Sequence, residues 1–279
     1  MKILVTGANG YIGQHVVKVL LDLGHSVIAV DLSTENIDER AEIHTYNVFE
    51  DIQSAKNDCE KSDVLLHLVW EDVYNHNSMK QLINLPKHVQ FIELAMQSGI
   101  KMVASMGSMH DIGYWEGKID ENTPAKPLSY YGIAKNALLQ CVGILADKYA
   151  KPYLWLRCFY TCGNDEKSNT IFTKILKMAS DGQKTFPFTT GENKYDFSNI
   201  NDVAKQIATA ITQRKYTGVV HCCSGMAVSL KEKVEEFIQE HNLDIRPDYG
   251  KYPSRPYDSP IVYGDNTKIS IIMKEFANE

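Results

Sequence analysis

Nowhere in the chain do eighteen apolar residues follow one another, so no membrane span is expected. No basic run of five or more residues occurs, and the formal net charge is −6. Nucleic acid and anionic membrane surfaces are therefore poor candidates as partners. The six cysteines show no zinc or redox spacing: Cys158 and Cys162 are four apart, and Cys222 and Cys223 are adjacent. No metal site is expected, and the thiols read as reduced, mostly core residues of a cytoplasmic protein. The apolar start, Met1 to Val5, is too short for a signal peptide. Internal repeats and low-complexity segments are also lacking. What is present is ordinary globular material, 44% hydrophobic and 23% charged. A length of 279 residues suits one large domain or two unequal ones.

Through the first two thirds, short apolar runs alternate with helical patterns. Strands are expected at Lys2–Val5, Ser26–Val30, Glu42–Val48, Asp63–Val69, Met102–Ser105 and Tyr153–Cys158. Helical spacing covers Ile12–Leu23, a segment ending at Gly99, and Tyr131–Tyr149. Nearly continuous apolar strands between helices imply an α/β chain with a parallel sheet covered on both faces. Beyond about residue 160 the pattern loosens: helices at Ile171–Ser180, Asp202–Gln213 and Leu230–His241, strands at Lys184–Phe188 and Gly218–Cys223. The Pro- and Tyr-rich stretch Arg246–Pro260 reads as a loop. Residues 1–160 are expected to form the larger domain. Residues 161–279 are expected to form a smaller lobe, with segments rejoining the main sheet.

The strongest local signal is Thr6-Gly7-Ala8-Asn9-Gly10-Tyr11-Ile12-Gly13, which follows a strand and opens a helix. Gly7 permits a tight turn, Gly10 lets the backbone approach a pyrophosphate, and Gly13 allows close helix–strand packing. The helix N-terminus, with Asn9, Tyr11 and Ile12 around it, presents N–H groups to the phosphates. Asp31 ends the second strand eighteen residues after Gly13. A carboxylate there accepts both adenosine ribose hydroxyls and repels a 2′-phosphate, and no Arg or Lys follows until Arg40. NAD(H) is therefore expected in preference to NADP(H).

Tyr131 and Lys135 form a Tyr-x-x-x-Lys pair at the start of the long helix, and i, i+4 spacing puts both on one face. A free tyrosine, with a pKa of about 10, is too weak a base at neutral pH. A neighbouring ammonium is expected to favour the phenolate.

Together, the glycine motif, Asp31 and the Tyr-x-x-x-Lys pair resemble the extended short-chain dehydrogenase/reductase family, also called the NAD-dependent epimerase/dehydratase family. Asp63-Val64-Leu65-Leu66-His67-Leu68 resembles its fourth strand, and Asn84 the asparagine on the helix after it. Asn47-Val48 stands where the family has Asp-Leu near the adenine. Lys194-Tyr195-Asp196-Phe197 with Asn201-Asp202-Val203-Ala204, then Ser224-Gly225 with Ser229, Arg255-Pro256 and Asp265-Asn266-Thr267-Lys268, resemble later family segments. The resemblance implies a Rossmann fold, a doubly wound parallel sheet. It also implies a cofactor site that includes Asn47, Val48, Leu68 and Lys135, and a substrate-contacting Arg255.

The family places a catalytic Ser or Thr after the fifth strand. Ser108 is preferred here, with Ser105, at the expected strand end, as the alternative. Ser105, His110, Tyr131 and Arg255 are the candidate substrate contacts. His110 and Asp111 could form an acid–base pair or a loop-ordering hydrogen bond. His67 reads as a buried strand histidine. Two departures stand out: Val69-Trp70 replaces the usual Ala-Ala and narrows that wall, and Tyr160 stands where the family has Asn.

Family substrates are mostly nucleotide-activated sugars, and the segments 106–124 and 131–138 resemble reductases of nucleotide-linked 4-keto-6-deoxy sugars. Reduction is the leading expectation, because Met109-His110 occupies the place of a dehydratase's acidic pair. A 4-epimerase with retained NAD is the alternative, and a non-catalytic dinucleotide-binding protein is the alternative of another class. A homodimer through the helix bearing Tyr131 and the one before it is also expected from the resemblance.

Overall fold

The computed structural model describes residues 1–163, 170–253 and 258–276. Its first half runs β1 (Lys2–Thr6), α1 (Tyr11–Asp22), β2 (Ser26–Asp31), β3 (Glu42–Thr45), α2 (Ile52–Glu60), β4 (Val64–His67), α3 (Lys80–Gln97) and β5 (Met102–Ser108). A short 3-10 turn at Met109–Asp111 follows, then β6 (Gly117–Ile119), α4 (Tyr130–Tyr149), β7 (Tyr153–Cys158) and β8 (Tyr160–Cys162). The second half holds α5 (Ile171–Ser180), β9 (Thr185–Pro187), β10 (Lys194–Tyr195), β11 (Phe197–Asn199), α6 (Ile200–Thr212) and β12 (Gly218–Cys222). It closes with β13 (Val228–Ser229), α7 (Leu230–Glu240), β14 (Arg246–Asp248), β15 (Ile261–Gly264) and α8 (Thr267–Phe276).

Seven strands form one sheet in the order β12-β7-β5-β4-β1-β2-β3, and all pairings in it are parallel. The strands are apolar on both sides because both faces are covered. Ile3 and Val5 face a core shared with Val16, Val17 and Leu20 of α1, Val203 and Ile207 of α6, and Ile269 and Ile272 of α8. Leu4 faces the opposite core, with Phe91 and Ile92 of α3 and Leu138 and Val142 of α4. Residues one apart on a strand thus serve opposite helical layers. Strand order reverses between β1 and β4, whose ends meet at the Thr6–His67 pair. That is the switch point where open α/β sheets form a crevice.

The segments near 200–222 and 267–276 pack on this main sheet. Phe172, Ile175, Phe186, Phe188, Val234, Phe237 and Ile245 form a separate core, bordered by a four-stranded sheet β13-β10-β15-β6.

Several boundaries differ from the expected ones. The third strand ends at Thr45, and Asn47 leads out of the sheet, its backbone carbonyl accepting N–H groups of Glu50 and Asp51. The fifth strand runs on to Ser108, so Ser105 is an interior strand residue. Within the expected loop after Arg246, β14 pairs in parallel with β9. Helices α2 and α8 were not expected, although Ile52, Ala55 and Cys59, and Ile269, Ile272, Met273 and Phe276, recur at helical spacing.

Candidate active site

The crevice begins at the turn after β1. Gly7 has φ +76°, and a Cβ there would stand 2.8 Å from the Val69 nitrogen. At Gly13 a Cβ would lie 2.1 Å from the Gly7 carbonyl oxygen, so only glycine lets α1 approach the turn this closely. Gly10 is the N-cap of α1 and no side chain caps that end. The first-turn N–H groups around Tyr11 and Ile12 therefore suit an anion. These features fit a dinucleotide pyrophosphate.

At the end of β2, Asp31 accepts the Asn9 N–H at 2.9 Å and the Leu32 N–H at 2.7 Å. The Asn9 amide donates to Ser33 Oγ at 2.6 Å and Glu35 Oε2 at 3.1 Å, and its Oδ1 accepts from Asn36. Two carboxylates, Asp31 and Glu35, thus stand beside the turn. Arg40 is engaged elsewhere, by Asp22 at 2.8 Å and Asp38 at 2.6 Å. Asn47 Oδ1 accepts the Phe49 N–H, Val48 is buried, and the half-buried Leu68 donates its N–H to Thr6.

Ser129 caps α4 by accepting the Gly132 N–H, and Tyr131 donates its N–H to the His76 carbonyl at 2.9 Å. Both Tyr131 and Lys135 are buried, one turn apart. Ser108, at the end of β5, accepts the His110 N–H at 3.3 Å and opposes the rise in the Tyr131 pKa. Lys135 Nζ donates to the Met106 carbonyl at 2.8 Å and lies 3.6 Å from the Trp70 ring centroid. Burial lowers the Lys135 pKa to about 7, with Asp111 and Cys158 opposing.

In this arrangement burial, rather than Lys135, dominates the Tyr131 phenol. Burial raises the Tyr131 pKa, and the Ser108 hydrogen bond is what opposes it. The reason is geometric: the ammonium is turned to Met106 and Trp70, 5.8 Å from the Tyr131 ring centroid.

His110 and His76 flank the phenol. The His76 ring stacks on Tyr131 at 4.9 Å and 16°, and the His110 ring lies 6.1 Å away at 68°. Asp111, next to His110, faces the other way. Its carboxylate takes Trp155 Nε1 and Arg157 Nε, each at 2.8 Å, and Arg157 continues to His221 at 3.0 Å. Burial raises the Asp111 pKa, with Arg157 opposing. Asp111 is therefore taken up by the core.

Ser105 is 1% exposed and its Oγ, wholly buried, has no hydrogen-bond partner. His67 is buried as expected, bonded to Thr6 Oγ1 and to His88 Nδ1, each at 2.8 Å. Burial holds both imidazoles neutral, with pKa values lowered to about 3 and about 2. Asn84 points to Glu71 at the exposed rim, 2.9 Å away. His76, Gln81 and His88 carried no local sequence signal, because their neighbours at the site come from other elements.

Of the later segments, Asp196 accepts Ser224 N–H and Oγ, Gly225 N–H and Gly264 N–H, tying the β10–β11 junction to the loop after β12 and to the end of β15. Ser229 caps α7 in a reciprocal pair with Glu232. Lys268 Nζ donates to the Thr217 carbonyl at 2.7 Å. Tyr160 packs on Tyr195 and Phe197. Arg255 lies outside the described residues. Among the described residues, no group of three or more His, Cys, Asp or Glu side chains is placed to hold a metal.

Residues 3–222 match the model of the NAD-dependent epimerase/dehydratase family. A dTDP-6-deoxy-L-talose 4-dehydrogenase (NAD(+)) of Aggregatibacter actinomycetemcomitans is 44% identical over 269 residues, 95% of this chain and 99% of the relative. Among solved structures, the UDP-N-acetylglucosamine 4-epimerase of Methanobrevibacter ruminantium M1 superposes with a TM-score of 0.85 at 21% identity, covering 97% of this chain and 91% of that one. The UDP-glucuronic acid 4-epimerase of Bacillus cereus, in complex with UDP-glucuronic acid and NAD, gives 0.83 at 19% identity, covering 98% and 93%. These two likenesses concern the fold. With the family model spanning most of the chain and one relative matching it nearly end to end, the chain belongs to the NAD-dependent epimerase/dehydratase family of enzymes.

Proposed function

We propose that this enzyme interconverts a ketone and a hydroxyl at C4 of a nucleotide-linked 6-deoxy sugar, with reduction of the 4-keto sugar as its favoured direction. The carrying observation is the buried Tyr131/Lys135 pair, one turn apart at the start of α4, with Ser108 at the end of β5 opposing the burial that raises the Tyr131 pKa. The name of the 44% identical relative, a dehydrogenase of a nucleotide-linked 6-deoxy sugar, supports the substrate class.

NAD, when bound, supplies hydride-transfer chemistry. The turn through Gly7, Gly10 and Gly13 and the N-terminus of α1 would hold its pyrophosphate, Asp31 its adenosine ribose, and Asn47 and Val48 its adenine side. Lys135 would bind the nicotinamide ribose. Tyr131 would hold the proton exchanged with the sugar oxygen, giving it in reduction and taking it in oxidation. Ser108 would hydrogen-bond the same oxygen, and His110 would line the sugar side.

The test is incubation with a panel of nucleotide-linked 4-keto-6-deoxy sugars and NADH, following loss of the reduced nicotinamide absorbance, with NADPH in parallel. Oxidation of the matching 6-deoxy sugars with NAD+ tests the reverse direction. Conversion of a 4-hydroxy sugar to its epimer with no net change in cofactor would overturn the reading in favour of a 4-epimerase.

Two further expectations accompany it. Ile83 on α3 and Ile144 on α4 are 62% and 68% exposed, which supports a homodimer through those helices. Light scattering on the purified protein tests that. All six cysteines are free thiols, which supports a reducing, cytoplasmic setting.

A further inference from the structure

Trp70 stands just past β4, at the position where the sequence departs from the small residues usual in the family. His88 stacks on the indole ring system at 4.4 Å and 17°. Lys135 Nζ lies 3.6 Å from a ring centroid, and a stack that close leaves the ammonium the opposite face. Tyr131 meets the indole edge to face, at 5.9 Å and 86°. Nε1 donates to Gln81 Oε1 at 2.6 Å, and Gln81 Nε2 donates to the carbonyls of Asp72 and Asn75. The same loop supplies the His76 carbonyl that receives the Tyr131 N–H. One indole thus links the loop after β4 to both members of the Tyr131/Lys135 pair.

We propose that Trp70 is a positioning residue, whose face favours the Lys135 ammonium against its burial and aims it, while its ring seats Tyr131. This rests on the roles proposed above for Tyr131 and Lys135. The physical case is one of satisfaction in a dry site. An ammonium has three donors, and here one goes to the Met106 carbonyl. A tryptophan face is the best aromatic partner for a cation, and worth most where water is excluded. Together they hold the charge in a buried site and leave donor capacity for a ribose hydroxyl. The His88 stack and the Gln81 hydrogen bond fix the plane of the indole, so the ammonium has one place to sit.

Removing the face should let Lys135 lose its proton at lower pH. The titratable groups around it are Tyr131 on its own helix, Asp111 after β5, Cys158 of β7, His67 of β4 and His88 of α3. Of these, Tyr131 and His88 also touch the indole, so a shift reports the indole acting on Lys135 and these two neighbours.

The experiment compares Trp70→Phe and Trp70→Leu with the parent, measuring the pH profile of turnover, NAD+ affinity by calorimetry and thermal stability. Trp70→Leu is expected to lower turnover at least tenfold, to weaken NAD+ binding, and to move the alkaline limb down by about one pH unit. Trp70→Phe should shift the limb the same way by less, because phenylalanine keeps a weaker face. An alkaline limb unmoved in every variant that folds overturns the proposal, and if Trp70→Leu does not fold, Trp70→Phe decides. Tyr131→Phe and Lys135→Met separate the two possible failures. If both retain parental turnover, the catalytic reading is wrong. If both are crippled while the Trp70 variants match the parent, only the role of Trp70 is wrong.

Discussion

Asp111 and Arg157 form an ion pair at 2.8 Å, with side chains 0% and 3% exposed. They lie forty-six positions apart in the chain. Trp155 and His221 complete the network. It joins the turn after β5 to β7 and β12 and so fixes the backbone that carries Ser108. Asp111→Asn should leave the Arg157 charge poorly compensated and cost about 3–5 kcal/mol. Urea unfolding at neutral pH measures this; a loss below about 1 kcal/mol would show that the pair contributes little.

The two serines of β5 separate cleanly. Ser108 acts on the Tyr131 phenol, whereas Ser105 Oγ is buried without a partner. Ser108→Ala should lower turnover with little change in NAD+ affinity, and Tyr131→Phe should lower it by about 10²–10⁴. Ser105→Ala removes an unsatisfied hydroxyl and is expected to leave turnover near the parent and stability equal or higher. Steady-state kinetics on the three variants decide; a crippled Ser105→Ala beside a mild Ser108→Ala would reverse the assignment.

Cofactor choice should follow the two carboxylates beside the glycine turn. Asp31 and Glu35 both face the Asn9 corner, and Arg40 is held away by Asp22 and Asp38. NADH is expected to bind at least tenfold more tightly than NADPH, a gap of about 1.4 kcal/mol. Asp31→Ala should weaken NADH and narrow the gap. Fluorescence titration of both cofactors is the measurement, and a preference for NADPH in the parent would contradict the role of Asp31.

Lys135 carries a stability cost that function explains. Burial brings its pKa down from 10.5 to about 7, so the unfolded chain binds this proton more tightly than the folded one. The cost is full below pH 7 and fades as pH rises from 7 toward 10.5. Lys135→Met keeps the length without the charge. It should stabilise the cofactor-free protein at pH 6 by about 1–3 kcal/mol, less at pH 9, while abolishing turnover. Thermal melts at the two pH values test the sign; a variant less stable than the parent at pH 6 would refute it.

Much of this protein is written in local pattern. The alternation of Ile3, Leu4 and Val5 between two helical layers, the spacing of Gly7, Gly10 and Gly13, and the one-turn separation of Tyr131 and Lys135 each depend on neighbours a few residues away. Backbone geometry turns such spacings directly into strands, turns and helix faces, so sheet class, the dinucleotide turn and the Tyr/Lys pair were legible without coordinates. Helices α2 and α8 were legible too, through Ile52, Ala55 and Cys59 and through Ile269, Ile272, Met273 and Phe276 at helical spacing, but were not among the expected elements. What the chain order conceals is which side chains from distant elements share one buried space. Asp111 turns from His110 to Arg157, Lys135 turns from Tyr131 to Trp70 and Met106, and His76 arrives from another loop to stack on the phenol. A buried charge or ring goes wherever packing leaves a partner within reach, and only the folded arrangement of β4, β5, α3 and α4 sets which partners those are.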